Sequence, residues 1–467
     1  MHTSPQDVTA RPSPRARLAF AALLLGMLMA QLDTNIVVAA LPSITTDLGS
    51  ASAVAGVTAV YLLTVTVSTP VHGKLGDLFG RRAVFHAALA LFAVGSLSCA
   101  LAPSMPVLVA ARGIQGLGGG GLVVTAISAL AQMFTREEMM RRQGYLTGLF
   151  ALSALAGPPL GGLLAAGPGW RWIFLVNLPL CVAGALLGSK GLPGKPQTEA
   201  GASFDWAGTL LVTAVGAGVV ALGVSQTLAH SPLGTAALLA GVTGCAVAFV
   251  KVERRAATAL IPPSLFHDRG LARSIVSTGL AGIALFGTFT FIPLAVQEGT
   301  GAGSGTTGLL LLALTGGQLL STTTFSLLAR RHPALPRWGY VALTTGVVGM
   351  TGLAVLPALH GAPRPFALAV AVTGMAMVGA ALGLSLQAYT LIAQGRARAD
   401  RIGATMGTLT FARQLGGSLG TAVFGRLLLT APSERTGLIV VLATAAGLLA
   451  AALATAPRPK DDPTHPG

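Results

Sequence analysis

Few residues in this chain could do chemistry, and most of them stand where charge is expensive. Asp33 lies in Leu18–Pro42, LAFAALLLGMLMAQLDTNIVVAALP, with Gln31 and Asn35 beside it and no other charged residue in the stretch. A carboxylate in hydrocarbon costs about 2.5–3.5 kcal/mol on insertion scales, and such groups usually face a bundle interior or an aqueous cavity. Asp33 is thus either a snorkelling interfacial acid or a protonatable coupling site. Roughly fifteen residues, about 22 Å of helical rise, separate it from the start of its run, which favours the second reading.

Arg112, in LVAARGIQGLGGGGLVV, is the corresponding cation. A guanidinium cannot be neutralised and needs an anion or water. By helical rise Arg112 sits about 10 Å and Asp33 about 8 Å below the outer boundary. The depths match on different helices, so a direct or water-linked pair is expected, with Gln115 close by. Arg413 and Gln414 lie in the middle of another run, where a substrate path, contact between bundles and plain structural hydrogen bonding fit equally. Glu298, next to Gln297, fits the mouth of a path, and Asn177 a helix–helix hydrogen bond. His72 and His86 could sense pH or pack at an interface. Cys99, Cys181 and Cys245 fall in separate runs without pairing or metal spacing and read as core packing. No Ser/His/Asp set, metal cluster or phosphate loop stands at a credible position, which argues against an enzyme, a cofactor or a resident metal.

The elements that must position these residues are membrane spans. Of 467 residues, 52% are hydrophobic and 10% charged, where a soluble globule carries roughly a quarter charged. The net charge of +15 could suggest nucleic acid, but the basic residues gather between apolar runs and not along one face. About fourteen runs have spanning length, at 18–41, 52–72, 82–102, 105–134, 144–166, 171–189, 206–228, 232–251, 271–298, 306–329, 339–359, 366–394, 403–429 and 437–456. Small residues, 61 Gly among them, suit close packing in lipid.

With the N-terminus placed in the cytoplasm, nearly all Lys and Arg fall in alternate connections. Only Arg171, Arg364 and Arg435 fall outside, and Arg112, Arg413 and Arg426 lie within spans. That asymmetry predicts a multi-pass protein of the cytoplasmic membrane with both termini cytoplasmic. Arg11, Arg15 and Arg17 ahead of the first run imitate a signal peptide, but the run is too long for one and reads as an uncleaved helix. Two charged connections divide the chain into a tail, 1–17; six spans, 18–189; a linker with two further spans, 190–270; six spans, 271–456; and a tail, 457–467. Paired glycines in GPPLGG and RQLGGSLG recur at the fifth span of each half, and parallel half-repeats are a transporter signature.

Short motifs sharpen this. GKLGDLFGRR, with Gly73, Asp77, Gly80, Arg81 and Arg82, resembles the signature loop of the major facilitator superfamily. Arg112 followed by Gln115 and Gly116 resembles that family's second motif. Gly157, Pro158, Gly161 and Gly162 resemble its antiporter motif, and on general grounds would bend a helix and admit a neighbour. LDTNIVVAALPSI, WRWIFLVNLP, FDWAGTLL and RQLGGSLG resemble the fourteen-helix drug:proton antiporters over nearly the whole chain. Gly56, where many members place Trp, and the wording after Asp33 depart from that pattern. The resemblance implies an all-α major-facilitator fold of two six-helix bundles plus two linking helices. It further implies an Asp77–Arg81 network that holds an outward-open state, proton transfer through Asp33 and Arg112, and the proton gradient as energy source. The expected partners are a small-molecule substrate, protons and the bilayer, without nucleic acid, and a monomer is expected. Few fixed charges point to an amphipathic or hydrophobic substrate, so drug or antibiotic efflux is the leading reading. Export of a particular metabolite or siderophore, inward symport, and a non-transporting membrane receptor or scaffold are the alternatives.

Overall fold

The computed structural model describes residues 14–48, 54–194, 205–224, 231–256, 259–289, 291–301, 310–329, 334–359, 363–398 and 401–457. Arg11, Lys195, Arg330, Arg331, Arg458 and Lys460 of the charge pattern lie outside the described residues. All regular structure among the described residues is helical. The chain forms α1 (Pro14–Leu48), α2 (Val54–Phe79), α3 (Arg81–Ala100), α4 (Met105–Met133) and α5 (Arg136–Ala166). A single turn, Trp172–Leu175, leads into α6 (Asn177–Gly191), followed by α7 (Trp206–Val224) and α8 (Pro232–Glu253). Next come α9 (Arg269–Ala281), running into a π turn at Gly282–Phe286, and α10 (Phe291–Thr300). The last five are α11 (Leu312–Leu328), α12 (Leu335–Val355), α13 (Arg364–Arg396), α14 (Ile402–Thr430) and α15 (Glu434–Thr455).

Most described helices begin and end within a few residues of an apolar run or extend past it into polar turns, but the run expected at 271–298 is broken into α9, the π turn and α10. α1 runs seven residues beyond Leu41, to Leu48, so Asp33 is set further from the helix end than the apolar run implied. Local chemistry places several starts. The Thr135 hydroxyl accepts from the Glu138 N–H while the Glu138 carboxylate accepts from the Thr135 N–H, a reciprocal cap at the head of α5. Asp268 and Ser433 cap α9 and α15 one way, their side chains accepting from the Leu271 and Thr436 N–H groups.

Eight stretches among the described residues are long and apolar enough to cross a bilayer, and the pair Arg269–Phe286 and Phe291–Thr300, bent by 44°, makes a ninth if it is one span. The protein is a multi-pass membrane protein. Length and hydropathy alone thus account for fewer spans than the fourteen expected. α14, with Arg413, Gln414 and Arg426, is long but polar, and α11 and the apolar part of α7 are shorter than a span.

Contacts order the helices around α4. Both α2 and α3 pack along it, α1 packs on α5 and α6, and α13 packs on α11 and α12. The N-terminal and C-terminal parts meet where α2 lies on α14 and α5 on α11. The apolar window of α4 is 83% buried and that of α8 is 0% buried, so α4 is central and α8 peripheral. α4 can be so enclosed because glycine faces both neighbours. A Cβ on Gly116 would sit 2.6 Å from the Tyr61 carbonyl oxygen of α2, and one on Gly118 would sit 2.7 Å from that of Ala88 on α3.

This packing predicts a contrast between two glycines. Gly118→Val must push the α3 backbone away and should cost at least the 1–3 kcal/mol typical of an overpacked core. Gly162→Ala, which meets nothing within 4 Å, should stay within about 0.5 kcal/mol. Thermal melting of the purified protein in detergent checks both, and equal effects would contradict the packing.

Candidate functional site

Asp33, on α1, is 2% exposed and Arg112, on α4, 1%. The pairing inferred from depth is direct: Arg112 Nη1 donates to Asp33 Oδ2 at 2.5 Å. The same nitrogen donates to Gln115 Oε1 at 2.7 Å, and Gln115 Nε2 donates to Asp33 Oδ1 at 2.8 Å, closing a ring of three side chains. Arg112 and Gln115 are three residues apart on one helix and so share a face. That spacing lets one turn of α4 grip both carboxylate oxygens.

Three other helices complete the enclosure. Asn177 Nδ2, at the head of α6, donates to Asp33 Oδ1 at 3.3 Å and to Ser96 Oγ of α3 at 3.2 Å. Ser96 Oγ also accepts from Gln115 Nε2 at 2.7 Å. From α2, the Val57 carbonyl accepts from Arg112 Nε at 3.4 Å, and the Tyr61 ring lies under the guanidinium, 3.9 Å from its carbon to the ring centroid. Tyr61 Oη in turn donates to the Ala30 carbonyl of α1 at 3.1 Å. The carboxylate therefore accepts from a cation and two amides, and the cation also has an aromatic face, the arrangement that makes a buried charge tolerable.

A proton on Asp33 would cancel the attraction to Arg112 and leave a guanidinium with only neutral acceptors and a ring. Asn177 makes the helix–helix hydrogen bonds expected from the sequence, and one of them ends on the carboxylate. Ser96 and Tyr61 were not legible as partners, because a serine or tyrosine in an apolar span carries no signal of which helix it faces.

Near the far end of α1, Asp47 accepts from Arg171 Nη1 at 2.7 Å and from Trp170 Nε1 at 3.0 Å. The Arg171 hydrogen bond first, and then that of Trp170, hold its carboxyl below the ordinary value. This exposed pair ties α1 to the turn before α6.

The signature loop forms a second buried cluster. Asp77 is 4% and Arg81 3% exposed, and the two are in contact as an ion pair one helical turn apart. Asp77 Oδ1 also accepts from the Gly403 N–H at 2.9 Å, and Oδ2 from the Ala404 N–H at 2.7 Å. A carboxylate of α2 thus caps the first turn of α14, where free N–H groups and the helix dipole favour negative charge. Arg81 Nη1 donates to the Gly73 carbonyl at 3.2 Å. Gly73 lies against α14, where a Cβ would stand 2.6 Å from the Gly403 carbonyl oxygen. Gly80 makes the turn between α2 and α3 with φ 87°, a conformation glycine adopts without penalty. Arg82 lies apart from the cluster, beside Gly194. At the same end, Gln394 Nε2 of α13 donates to the Ala131 and Phe134 carbonyls at 3.1 and 3.3 Å.

The other expected residues are dispersed. Gly157 of α5 receives Asn35 of α1, whose Nδ2 donates to the Gln31 carbonyl at 3.0 Å. Gln31 and Asn35 share one face of α1, turned away from that of Asp33 by helical periodicity. Gly161 is buried, Gly162 is exposed with open space beside it, and the ring of Pro158 lies outside the described side chains. The close approach expected along the whole GPPLGG string is therefore seen at Gly157 and is absent at Gly162. Gln414 Oε1 accepts from Thr69 Oγ1 across α14 and α2 at 3.1 Å. Glu298 accepts from Arg435 Nε at 3.1 Å near the end of α10. Arg413 faces a separate small cavity. Cys99 and Cys181 are buried as free thiols and Cys245 is half-buried.

The family profile of the Major Facilitator Superfamily matches residues 23–421, and the chain belongs to that superfamily. Among curated relatives, an uncharacterized MFS-type transporter of Mycobacterium tuberculosis is 32% identical over 434 residues, covering 91% of this chain and 61% of its own length. This chain thus spans less than two thirds of that relative. The multidrug resistance protein Stp, also of Mycobacterium tuberculosis, is 32% identical over 410 residues, covering 86% of this chain and 74% of its own. Among solved structures, a bacterial homologue of the iron transporter ferroportin in an outward-facing state aligns with TM-score 0.67 at 15% identity, over 94% of this chain and 98% of its own. That likeness speaks to the fold alone. The family is one of transporters and not of enzymes.

The ring of contacts predicts strong coupling between its charged members. Arg112→Gln alone strands a buried carboxylate and should destabilise by about 3–5 kcal/mol. Adding Asp33→Asn should restore most of the loss, because two amides can hydrogen-bond in place of the ion pair. Melting of the two single variants and the double variant reads the coupling. Additive losses would contradict it.

Proposed function

We propose that the chain exports drug-like or antibiotic-like amphipathic compounds across the cytoplasmic membrane in exchange for protons, by alternating access. The observation that carries the proposal is the enclosed Asp33–Arg112 pair, a titratable acid locked to a permanent cation at the centre of five helices. The printed name of the relative Stp, a multidrug resistance protein, supports the substrate class.

In this reading the two six-helix bundles are residues 18–189 and 271–456, joined by a linker with two further helices, and both termini are cytoplasmic. Asp33 takes a proton from the outside-facing cavity and its hold on Arg112 weakens. The bundles then favour the inward-facing state, where substrate is collected. Loss of the proton to the cytoplasm restores the pair. The free-energy difference between the states is supplied by the proton's differential affinity for Asp33 in the two environments. Asp77, Arg81 and the start of α14 form the clasp that must open when the inward face does. Gly157 with Asn35 keeps α1 and α5 close while the site changes charge, and Gln31, Gln115, Gln414 and Glu298 are candidates for the substrate path.

Proteoliposomes with an imposed pH gradient and ethidium as the probe test the coupling. Wild-type protein should drive ethidium export with the gradient. Asp33→Asn should reduce gradient-driven export to the level of empty liposomes while ethidium counterflow persists. A full gradient-driven rate in Asp33→Asn would sink the coupling role.

A further inference from the structure

The C-terminal part of the fold holds a second buried-helix arginine, and its surroundings are the opposite of those of Arg112. Thr278 of α9, Phe286 of the π turn, Ser385, Tyr389 and Thr390 of α13, and Arg413 of α14 line a small cavity, sized for a functional group and not for a whole drug-like molecule. Arg413 is held there by backbone packing. A Cβ on Gly282 of the π turn would stand 2.5 Å from the Arg413 carbonyl oxygen and 3.1 Å from its Cα.

Among the described residues no carboxylate pairs with Arg413. Between Asp268 and Glu434 the sequence contains two acids, Glu298 and Asp400. Glu298 accepts from Arg435. Asp268 receives Arg396 Nη1 on both oxygens, at 2.7 and 2.9 Å. Asp400 lies outside the described residues. Among the described residues the Arg413 guanidinium has no hydrogen bond or ion pair. One hydroxyl of the same lining, Thr278 Oγ1, is buried without a partner among those residues. A cation and an unused donor left together in an apolar wall cost stability unless something supplies the missing acceptors.

We propose that this cavity receives the anionic group of an amphipathic ligand, a carboxylate, sulfonate or phosphate. Arg413 supplies the charge, the Thr278 hydroxyl a directed hydrogen bond, and Phe286 the apolar contact for the adjoining skeleton. The proposal rests on the reading of the chain as an exporter of amphipathic compounds and adds to that path a preference for members bearing an acid. An anionic lipid headgroup offers the same chemistry as a free acid.

Calorimetric titration of the full-length protein in phosphatidylcholine nanodiscs tests this with one ring in three charge states: naphthoate, naphthalenemethanol and naphthylmethylamine. Naphthoate should bind about tenfold or more tightly than the alcohol, the scale of one charged hydrogen bond, and the amine more weakly than either. Arg413→Gln should abolish the preference for the acid and leave the alcohol's affinity unchanged, whereas Arg413→Lys should retain most of it. Equal affinities in the wild type, absence of binding by all three, or a preference that survives Arg413→Gln would each overturn the proposal. If Arg413→Gln does not melt cooperatively, Thr278→Val decides: selective weakening of naphthoate supports the site, and equal weakening of acid and alcohol overturns it. In nanodiscs containing phosphatidylglycerol, weaker naphthoate binding supports the site with lipid as an occupant, and unchanged binding supports a free acid. These titrations use no proton gradient, so a failed anion preference and a failed coupling at Asp33 are separate results.

Discussion

One ion pair in the wrong solvent constrains the N-terminal part of this molecule. Neither Asp33 nor Arg112 could remain charged in a hydrocarbon interior alone, so five helices are drawn to them: α1 and α4 for the charges, α3 and α6 for the amide and hydroxyl that complete the carboxylate's shell, and α2 for the ring and carbonyl facing the guanidinium. The glycine row of α4 follows from the same demand. Without it, α2 and α3 could not approach closely enough for Tyr61 and Ser96 to reach the pair.

The clasp at Asp77 obeys the same physics at the opposite level of the fold. There the acid is satisfied by a neighbouring Arg81 and by the first amides of a helix from the other part of the chain. One carboxylate thus ties α2 to the start of α14, and another ties α1 to α4. In the proposed cycle the first must let go when the second is discharged. Arg413 breaks the pattern, since among the described residues it lines a small cavity and pairs with no acid.

Much of this was legible in the residues, and the remainder has a physical reason for being hidden. Helical rise alone put Asp33 and Arg112 at matching depth, because depth depends only on position along a helix. Which way a side chain turns depends on how neighbouring helices rotate and tilt, so Ser96, Tyr61 and the true partner of Asn177 could not be read in advance. The same limit explains Gly162, whose place in a small-residue string implied a close neighbour but whose face of α5 has none. The fourteen spans rest on composition. A helix such as α14 carries enough polar residues to fall below a simple apolar test although it is long enough to cross.

The most direct test of the central claim is the protonation of Asp33 itself. Infrared difference spectroscopy of the purified protein, titrated from alkaline to acidic pH in the absence of substrate, reads the carbonyl stretch of a buried protonated carboxyl. The account predicts a band that grows on acidification, is absent in Asp33→Asn and moves in its titration when Arg112 is replaced by Gln. A spectrum in which no such band depends on Asp33 would contradict it.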